Sequence, residues 1–301
     1  MTKTRYLTKL SQVSQLADIP ASELQKLQEV EQRYAFRSNE YYHSLIDWND
    51  PQDPIRRIVI PHQDELELWG QLDASGEHNY AKARGLEHKY PDTALLLTSD
   101  VCGGLCRFCF RKRLFMADND EVSRDVSAGL DYIRNHPEIN NVLLTGGDPL
   151  LLSTRKLEEI ISSLRAIDHV QIIRIGSKMP AFNPFRILDD PALLDMLSKY
   201  SLPERRIYLM AQFNHPRELT AEAIQALSLV QQAGVAVMNQ TPMIRGVNDN
   251  SQVLAELLNK LSFMGVAPYY VFQCRPTEGN SAYTVPIEEG YQIFSKAISQ
   301  C

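Results

Sequence analysis

Short apolar segments alternate with amphipathic segments from residue 94 onward. Six apolar segments read ALLLTS, VLLT, VQIIRI, RIYLMA, VAVMNQ and PYYVFQ, and they begin at Ala94, Val142, Val170, Arg206, Val235 and Pro268. The segments at helical spacing that follow them begin at Val126, Thr154, Pro191, Thr220, Ser251 and Ile287. Strands that are apolar on both faces are typical of a parallel sheet covered by helices. Right-handed crossovers wind such pairs into a barrel or an open sheet, so six pairs predict an α/β fold, a partial (β/α)6 barrel of the TIM type.

The first 90 residues lack this alternation. ASELQKLQEVEQRYAF, from Ala21, has apolar residues near helical spacing and Ser22 as a candidate N-cap. Prolines interrupt the stretch that follows, in which IRRIVI, from Ile55, predicts a short strand or an extended segment. We therefore predict a mostly helical N-terminal subdomain at residues 1–90 and the barrel at residues 91–301.

Composition is that of a globular protein. Of the 301 residues, 44% are apolar and 23% are charged, which suffices for a filled core. The net charge of −6 argues against a general nucleic-acid-binding surface, and no apolar run approaches the ~18 residues of a membrane span. Because the N-terminus also lacks the apolar core of a signal peptide, we expect a cytoplasmic protein with reduced cysteines and without membrane or nucleic-acid partners.

Three cysteines follow the first predicted barrel strand. Cys102, Cys106 and Cys109 have the spacing C-x3-C-x2-C on a loop at the edge where parallel sheets carry their chemistry. Four thiolates would saturate a [4Fe–4S] cluster, so three leave one iron open to an outside ligand. The alternative is a structural zinc site with Cys274 or His215 as fourth ligand, but the second C-x2-C pair of such sites is missing.

Polar and glycine-rich segments follow the other strands. In TGGDPL, Gly146 and Gly147 allow close approach of a ligand, and Asp148 can accept from an ammonium group; a plain tight turn is the alternative. Ser177 follows the third strand and can hold a carboxylate or hydroxyl. The further candidates are Gln212, Asn214 and His215 after the fourth strand, Asn239, Gln240, Arg245, Asn248 and Asp249 after the fifth, and Cys274 and Arg275 after the sixth. Structural alternatives are a hydrogen-bonding histidine, a helix cap at Asn248 and a buried thiol at Cys274.

Four basic residues, Arg107, Arg111, Lys112 and Arg113, lie in or just after the cysteine loop. Nearby cations would stabilise the negative charge of a thiolate-bound cluster. Arg111 is the candidate for a carboxylate clamp, because its planar guanidinium can bind both oxygens. A solvated charged face is the alternative, above all for Lys112 and Arg113.

Together these segments resemble a known family. CGGLCRFC is similar to the cysteine loop of radical S-adenosylmethionine (radical SAM) enzymes. The other segments, in the same order from about Asp50 to about Gly290, resemble the lysine 2,3-aminomutase (KamA-like) family. They are HKYPDTALLLTSDVCGGLCRFCFRKRLF, LLTGGDPLLLS, IRIGSKMP, FNHP, NQTPMIRGVND and PYYVFQC. The resemblance implies a partial (β/α)6 barrel.

The resemblance also implies a radical enzyme with defined cofactor sites. The three cysteines would hold a [4Fe–4S] cluster whose open iron binds S-adenosyl-L-methionine. The other cofactor positions that the resemblance implies are Phe108 near the adenine, Gly146, Gly147 and Asp148 near the methionyl amine, and Ser177 and Gln240. The cofactor would yield a 5′-deoxyadenosyl radical that abstracts a substrate hydrogen. The family further implies an amino-acid substrate and a flavodoxin or ferredoxin as electron donor. The sequence is also compatible with a homo-oligomer.

The sequence departs from the family where pyridoxal phosphate and lysine bind. The family's Schiff-base lysine lies in a glycine-rich segment beyond the last strand; no such segment occurs up to Cys301, and Lys296 has no such context. Thr93 stands where an arginine is usual, and Arg275 where lysine-acting members have an aspartate, so the site suits an acidic group. We therefore expect either an aminomutase-like protein truncated at its C-terminal end or a pyridoxal-phosphate-independent radical enzyme that acts on a more acidic substrate. A non-catalytic zinc-binding protein is the third alternative.

Overall fold

The computed structural model describes residues 4–14, 19–116 and 119–301, and its centre is an eight-stranded sheet. The strands are β1 (Tyr6–Leu7), β2 (Ser38–Asn39), β3 (Ala81–Ala83), β4 (Leu86–Tyr90), β5 (Thr93–Ser99), β6 (Asn141–Gly146), β7 (Ile172–Ser177), β8 (Ile207–Ala211), β9 (Ala236–Met243) and β10 (Ala267–Gln273). The sheet order is β10-β9-β8-β7-β6-β5-β4-β3, and β1 pairs with β2 separately. The sheet therefore has two edges, at β3 and β10, and is not closed.

The strands from β5 to β10 are parallel and neighbour one another in chain order. They coincide with the six apolar segments of the sequence, so the predicted partial TIM-type barrel is confirmed. Parallel neighbours require a crossover connection, and each crossover here contains a helix. The carboxyl ends of the six strands therefore lie at one edge of the sheet.

Twelve α-helices are found in the described residues. They are α1 (Leu10–Val13), α2 (Ala21–Arg33), α3 (Glu40–His43), α4 (Pro54–Val59), α5 (Ser127–Arg134), α6 (Thr154–Arg165), α7 (Met179–Phe182), α8 (Phe185–Leu188), α9 (Pro191–Tyr200), α10 (Ala221–Gln232), α11 (Ser251–Phe263) and α12 (Ile287–Ile298). Short 3-10 turns occur at Gln63–Leu66, Glu77–Tyr80, Lys112–Phe115, Pro149–Leu151, Pro216–Glu218 and Ser281–Tyr283. No helix within these ranges combines the length and apolar character needed to cross a bilayer.

The main core lies between the sheet and the helices on its outer face. Val142 and Leu144 of β6 and Ile173 of β7 are fully buried there, packed with residues of α6, such as Leu157 and Ile161. Arg174, between the two buried isoleucines of β7, lies on the opposite face of the strand by alternation. The helices therefore cover one face and leave the other to the barrel interior.

Two details of the N-terminal region differ from prediction. Helix α2 begins after Pro20 without a side-chain cap, so Ser22 is not its N-cap. IRRIVI is helix α4, not a strand or extended segment. The carboxylate of Asp53 accepts hydrogen bonds from the amides of Ile55 and Arg56, both at 2.8 Å, and Pro54 occupies the first turn.

The residues just before the predicted domain boundary extend the barrel sheet. Strand β4 pairs antiparallel with β5, and Leu86 lies in the main core. A second hydrophobic cluster joins N-terminal residues such as Tyr42 to Phe108, Phe182 and Tyr283 of the barrel region. The division at residue 90 remains a prediction, and residues 81–90 are continuous with the sheet.

Candidate functional site

The cysteine loop begins where β5 ends and is held by backbone contacts to the N-terminal region. The guanidinium of Arg37 donates to the carbonyl of Cys102 (2.7 Å), and the amide of Leu105 donates to the carbonyl of Arg37 (2.8 Å). The amide of Arg107 donates to the carbonyl of Ile58 in α4 (2.9 Å). The N-terminal region therefore supports the loop from outside the barrel.

The three thiols of the loop form an electrostatically coupled set. Cys102, Cys106 and Cys109 are each half-buried; charge on Cys106 or Cys109 disfavours ionisation of Cys102, and charge on Cys109 disfavours ionisation of Cys106. Burial raises the pKa of all three thiols, that of Cys106 to about 12, and the ammonium of Lys178 acts in the opposite direction on Cys106. The protein alone thus holds them as thiols, and metal binding would release their protons.

The donor set fits an iron–sulfur cluster better than a preformed mononuclear site. Thiolates are the ligands of such clusters, and three of them lie on one loop at the carboxyl edge of the sheet. Throughout the described ranges, no group of three or more His, Cys, Asp and Glu side chains is arranged to hold a metal ion.

The glycine-rich segment after β6 packs directly on the cysteine loop. The amide of Asp148 donates to the carbonyl of Val101 (2.9 Å). A Cβ at Gly147 would lie 2.4 Å from that carbonyl oxygen, and Gly146 has a φ of +104°. Both positions therefore require glycine, and the segment supports the start of the cysteine loop.

The carboxylate of Asp148 accepts hydrogen bonds from three protein groups. It accepts from the hydroxyl of Ser177 (2.7 and 3.0 Å) and from the amides of Lys178 (2.8 Å) and Leu150 (3.0 Å). Burial raises the pKa of Asp148 to about 6, although these hydrogen bonds favour the ionised form. The structure thus brings together Gly146, Gly147, Asp148 and Ser177, with the carboxylate tying the ends of β6 and β7 to each other.

Phe108 and Gln240 contact residues outside that group. Phe108 is buried in the second hydrophobic cluster, and its ring centroid lies 6.2 Å from that of Tyr283. Gln240 lies on β9 and accepts a hydrogen bond from the hydroxyl of Tyr270 (3.2 Å). Their predicted contacts with the cofactor remain predictions.

A buried ion pair beside the cysteine loop was not foreseen from the sequence. The ammonium of Lys178 forms a salt bridge with Glu218, which is fully buried, and donates to the carbonyl of Gln212 (3.1 Å). Glu218 also accepts from the hydroxyl of Tyr42 (2.6 Å) and from the amide of His215 (3.1 Å). The pair links the ends of β7 and β8 to α3. The lysine is visible in SKMP, but its partner lies 40 residues away.

The basic run is buried, so the solvated-face interpretation is wrong for all four residues. Arg107 binds Glu65 through two nitrogens, the shorter contact being 2.8 Å. Arg113 binds Glu121 (2.8 Å). Lys112, in contrast, has no hydrogen-bond partner within the described ranges, and burial lowers its pKa to about 8.

Arg111, the predicted substrate clamp, binds a carboxylate of the protein. Its guanidinium donates to Glu77 (2.6 Å) and to the hydroxyl of Thr145 on β6 (2.8 Å). The carboxylate of Glu87 is 3.9 Å away, and burial raises the pKa of Glu87 to about 7. The guanidinium of Arg111 thus binds a carboxylate, as predicted, but this carboxylate belongs to the protein. A role of Arg111 in substrate binding remains a prediction.

Several polar candidates at strand ends have structural partners. His215 accepts from the amide of Arg217 (3.2 Å), and burial lowers its pKa. Asn239 bridges the backbone of Phe213, accepting at 2.8 Å and donating at 3.1 Å. The cap of α11 is Asn250, not Asn248.

The remaining candidates differ in environment. Asn248 donates to two backbone carbonyls, and Arg245 binds Asp249 (3.0 Å) and Glu289. The side-chain amide of Asn214 is fully buried and has no partner in the described part of the chain.

The two positions after β10 also differ from each other. Cys274 is a buried thiol whose pKa burial raises to about 12. Arg275 is exposed beyond the carboxyl end of β10.

Comparisons with known proteins identify the family of the chain. The model of the radical SAM superfamily matches residues 96–258, from β5 into α11. A protein of Aquifex aeolicus (strain VF5) named "Putative L-lysine 2,3-aminomutase" is 62% identical over 95% of this chain and 76% of its own length. The L-lysine 2,3-aminomutase of Clostridium subterminale is 43% identical over 84% of this chain, which spans 60% of that protein. The glutamate 2,3-aminomutase of Clostridioides difficile (strain 630) is 33% identical over 96% of this chain and 67% of its own length.

These matches support radical aminomutase chemistry of the lysine 2,3-aminomutase type, which is isomerase chemistry. The superfamily implies a [4Fe–4S] cluster and S-adenosylmethionine. The segment order from the cysteine loop to β10, together with these identities, shows that the chain belongs to the radical SAM superfamily and, within it, to the lysine 2,3-aminomutase family.

Proposed function

We propose that this protein moves an amino group between adjacent carbons of an amino acid by radical chemistry. The observation that carries the proposal is the set of three coupled thiols at the carboxyl end of β5, backed by the segment Gly146–Asp148. When bound, the cluster and S-adenosylmethionine supply a 5′-deoxyadenosyl radical that abstracts hydrogen. The role of the protein itself is to bind and orient these groups and to shield them from water.

Each part of the proposed site has a distinct role. Cys102, Cys106 and Cys109 hold the cluster and leave one iron open. Gly147 lets the backbone after β6 approach the cysteine loop, since no Cβ fits against Val101. The other proposed cofactor contacts are Gly146, Asp148, Ser177, Phe108 and Gln240.

We infer that the substrate carries an acidic group in its side chain. Arg275 lies at the end of β10 where a lysine-acting site would need an anion, and a cation there repels a substrate ammonium. Arg111 is the proposed clamp for the α-carboxylate, which requires it to exchange its contact with Glu77. The relationship to a glutamate 2,3-aminomutase supports an acidic substrate.

A second candidate is a radical enzyme that works without pyridoxal phosphate. Thr93 at the position of the usual arginine favours it. Anaerobic protein mixed with pyridoxal phosphate distinguishes the two: an imine absorbance band supports the aminomutase, and cofactor cleavage without such a band supports the second candidate.

The proposal is tested with anaerobically reconstituted protein and a one-electron reductant. We expect cleavage of S-adenosylmethionine and, with glutamate in preference to lysine, a 3-amino isomer of the substrate, which chromatography separates and fragmentation in mass spectrometry identifies. Cys106→Ala should abolish cluster assembly and cleavage and leave the fold intact by circular dichroism. Cleavage retained in that variant would refute the ligand assignment, and a colourless wild-type protein with one tight zinc would refute the function.

We further infer that a flavodoxin or a ferredoxin reduces the cluster, because generating the radical requires one electron. Reduction of the reconstituted protein by either donor in anaerobic stopped flow is the expected result. Sedimentation of the same sample tests whether the protein is a homo-oligomer.

A further inference from the structure

The ammonium group of Lys112 is a buried cation without a hydrogen-bond partner in the described part of the chain. The residue is 7% exposed, and Nζ lies 4.5 Å from the centroid of the Tyr34 ring. A cation–π contact offsets part of the cost of burying the charge. Buried charges normally also have an anionic partner, so the environment of Lys112 calls for one.

The other members of the basic run satisfy that requirement within the protein. Arg107 binds Glu65, Arg111 binds Glu77 and Arg113 binds Glu121, with shortest contacts of 2.8, 2.6 and 2.8 Å. Lys112 follows Arg111 directly in the sequence and is as buried as its neighbours. Its position is therefore set by the fold, and its missing partner distinguishes it from the three arginines.

Three groups of potential negative charge act electrostatically on Lys112, namely Glu65, Cys109 and Cys274, and the cation of Arg107 opposes them. Glu65 is occupied, because it accepts from Arg107 and also from the hydroxyl of Tyr283 (3.1 Å). The thiol of Cys274 lies 3.7 Å from the amide nitrogen of Asn280. Cys109 remains, and it is one of the three proposed cluster ligands.

No separate anion fits beside Lys112 in place of a cluster. Lys112, Tyr34, Cys106 and Cys109 line a cavity of about 10 Å³. Such a volume holds no more than one water molecule. The balancing charge must therefore come from groups that already border the cavity, and two of these are cluster cysteines.

We propose that Lys112 is a positioning residue whose buried charge balances the thiolates of the cluster and raises its reduction potential. The inference rests on the proposed function, that is, on cluster binding by the three cysteines. A fixed positive charge close to the cluster stabilises the reduced form more than the oxidised form, because the reduced form carries one more electron.

The test is a redox titration of reconstituted protein, followed by electron paramagnetic resonance. In Lys112→Met the iron and sulfide contents should match wild type. The ratio of reduced to oxidised cluster at the wild-type midpoint should fall about tenfold, which corresponds to about 59 mV for one electron. Lys112→Arg, which keeps the charge, should titrate as wild type. Lys199→Met removes an exposed lysine of α9 that pairs with Glu158, and it should change nothing.

Each outcome bears on the proposal. Loss of the cluster in Lys112→Met but not in Lys112→Arg supports charge balance as well. A fully loaded Lys112→Met protein with the wild-type potential overturns it, as does an equal shift in Lys112→Arg. Loss of the cluster in both variants, with the fold intact, also overturns it, since shape and not charge would then matter. Absence of a cluster from wild-type protein would instead refute the proposed function.

Discussion

At the scale of single residues, the cysteine loop depends on a glycine that cannot carry a side chain. A Cβ at Gly147 would lie 2.4 Å from the carbonyl oxygen of Val101, which immediately precedes Cys102. Backbone has to move to relieve this contact. We expect Gly147→Ala to lower the free energy of unfolding by about 1 to 3 kcal/mol and to reduce the iron content after reconstitution.

Gly176→Ala is the matched control for that change. Gly176 lies on β7 at the same edge of the sheet, and the nearest atom to its Cβ would be 3.6 Å away, an ordinary contact. Its stability should stay within about 0.5 kcal/mol of wild type. Equal iron contents in the two variants would show that the contact between Gly147 and Val101 does not shape the loop.

Glu87 gives the stability a pH dependence. Burial raises its pKa from 4.5 to about 7, so the folded protein binds the proton more tightly than the unfolded chain. The contribution of Glu87 is therefore most favourable below about pH 4.5 and is lost as the pH rises towards 7. Glu87→Gln should remove this loss. The free energy of unfolding of the variant minus that of wild type should therefore be about 1 to 3 kcal/mol larger at pH 7 than at pH 4.5. Urea unfolding of both proteins at several pH values measures this difference. A difference that stays constant with pH would contradict the account.

The spacing of the three cysteines could be read from the sequence because all of them lie on one loop. The partners of the basic run could not. Glu65 lies 42 residues before Arg107, and Glu77 lies 34 residues before Arg111, in a region without a regular pattern. From charge alone, a solvated face was therefore a reasonable interpretation. The burial of these residues becomes visible only in the folded structure.

At the scale of elements, helix α4 connects the N-terminal region to the cysteine loop. Asp53 caps this helix and also forms a salt bridge with Arg217, and the carbonyl of Ile58 accepts from Arg107. We expect Asp53→Ala to cost about 1 to 2 kcal/mol in urea unfolding. Asp195→Ala, at an exposed position of α9, should cost less than about 0.5 kcal/mol. Equal costs would indicate that the cap contributes nothing.

The barrel strands were predictable and α4 was not, for a physical reason. Each barrel strand is a short apolar run followed by a clear helical period, so two signals agree. IRRIVI is too short to show a period, and its β-branched residues favour a strand. Its helical state depends on Pro54 and on the Asp53 cap, which outweigh that preference.

At the scale of the whole molecule, a buried ion pair joins the N-terminal region to the barrel. Glu218 accepts from Lys178 after β7 and from Tyr42 in α3. Glu218→Gln leaves the ammonium of Lys178 buried without its counter-charge. We expect a loss of about 3 to 5 kcal/mol, measured by urea unfolding.

The double variant Lys178→Met, Glu218→Gln is the control for this pair. Removing both charges should cost less than the sum of the two single changes, because neither charge is then left alone. Additive costs would mean that the two side chains do not stabilise each other.

The central claim is a [4Fe–4S] cluster held by Cys102, Cys106 and Cys109 with one iron open to S-adenosylmethionine. Electron paramagnetic resonance of the reduced, anaerobically reconstituted protein tests it most directly, with and without S-adenosylmethionine. The account predicts a cluster signal that changes when the cofactor is added and that Cys106→Ala lacks. A signal that the cofactor leaves unchanged would show that all four irons are already ligated by protein, contradicting the account.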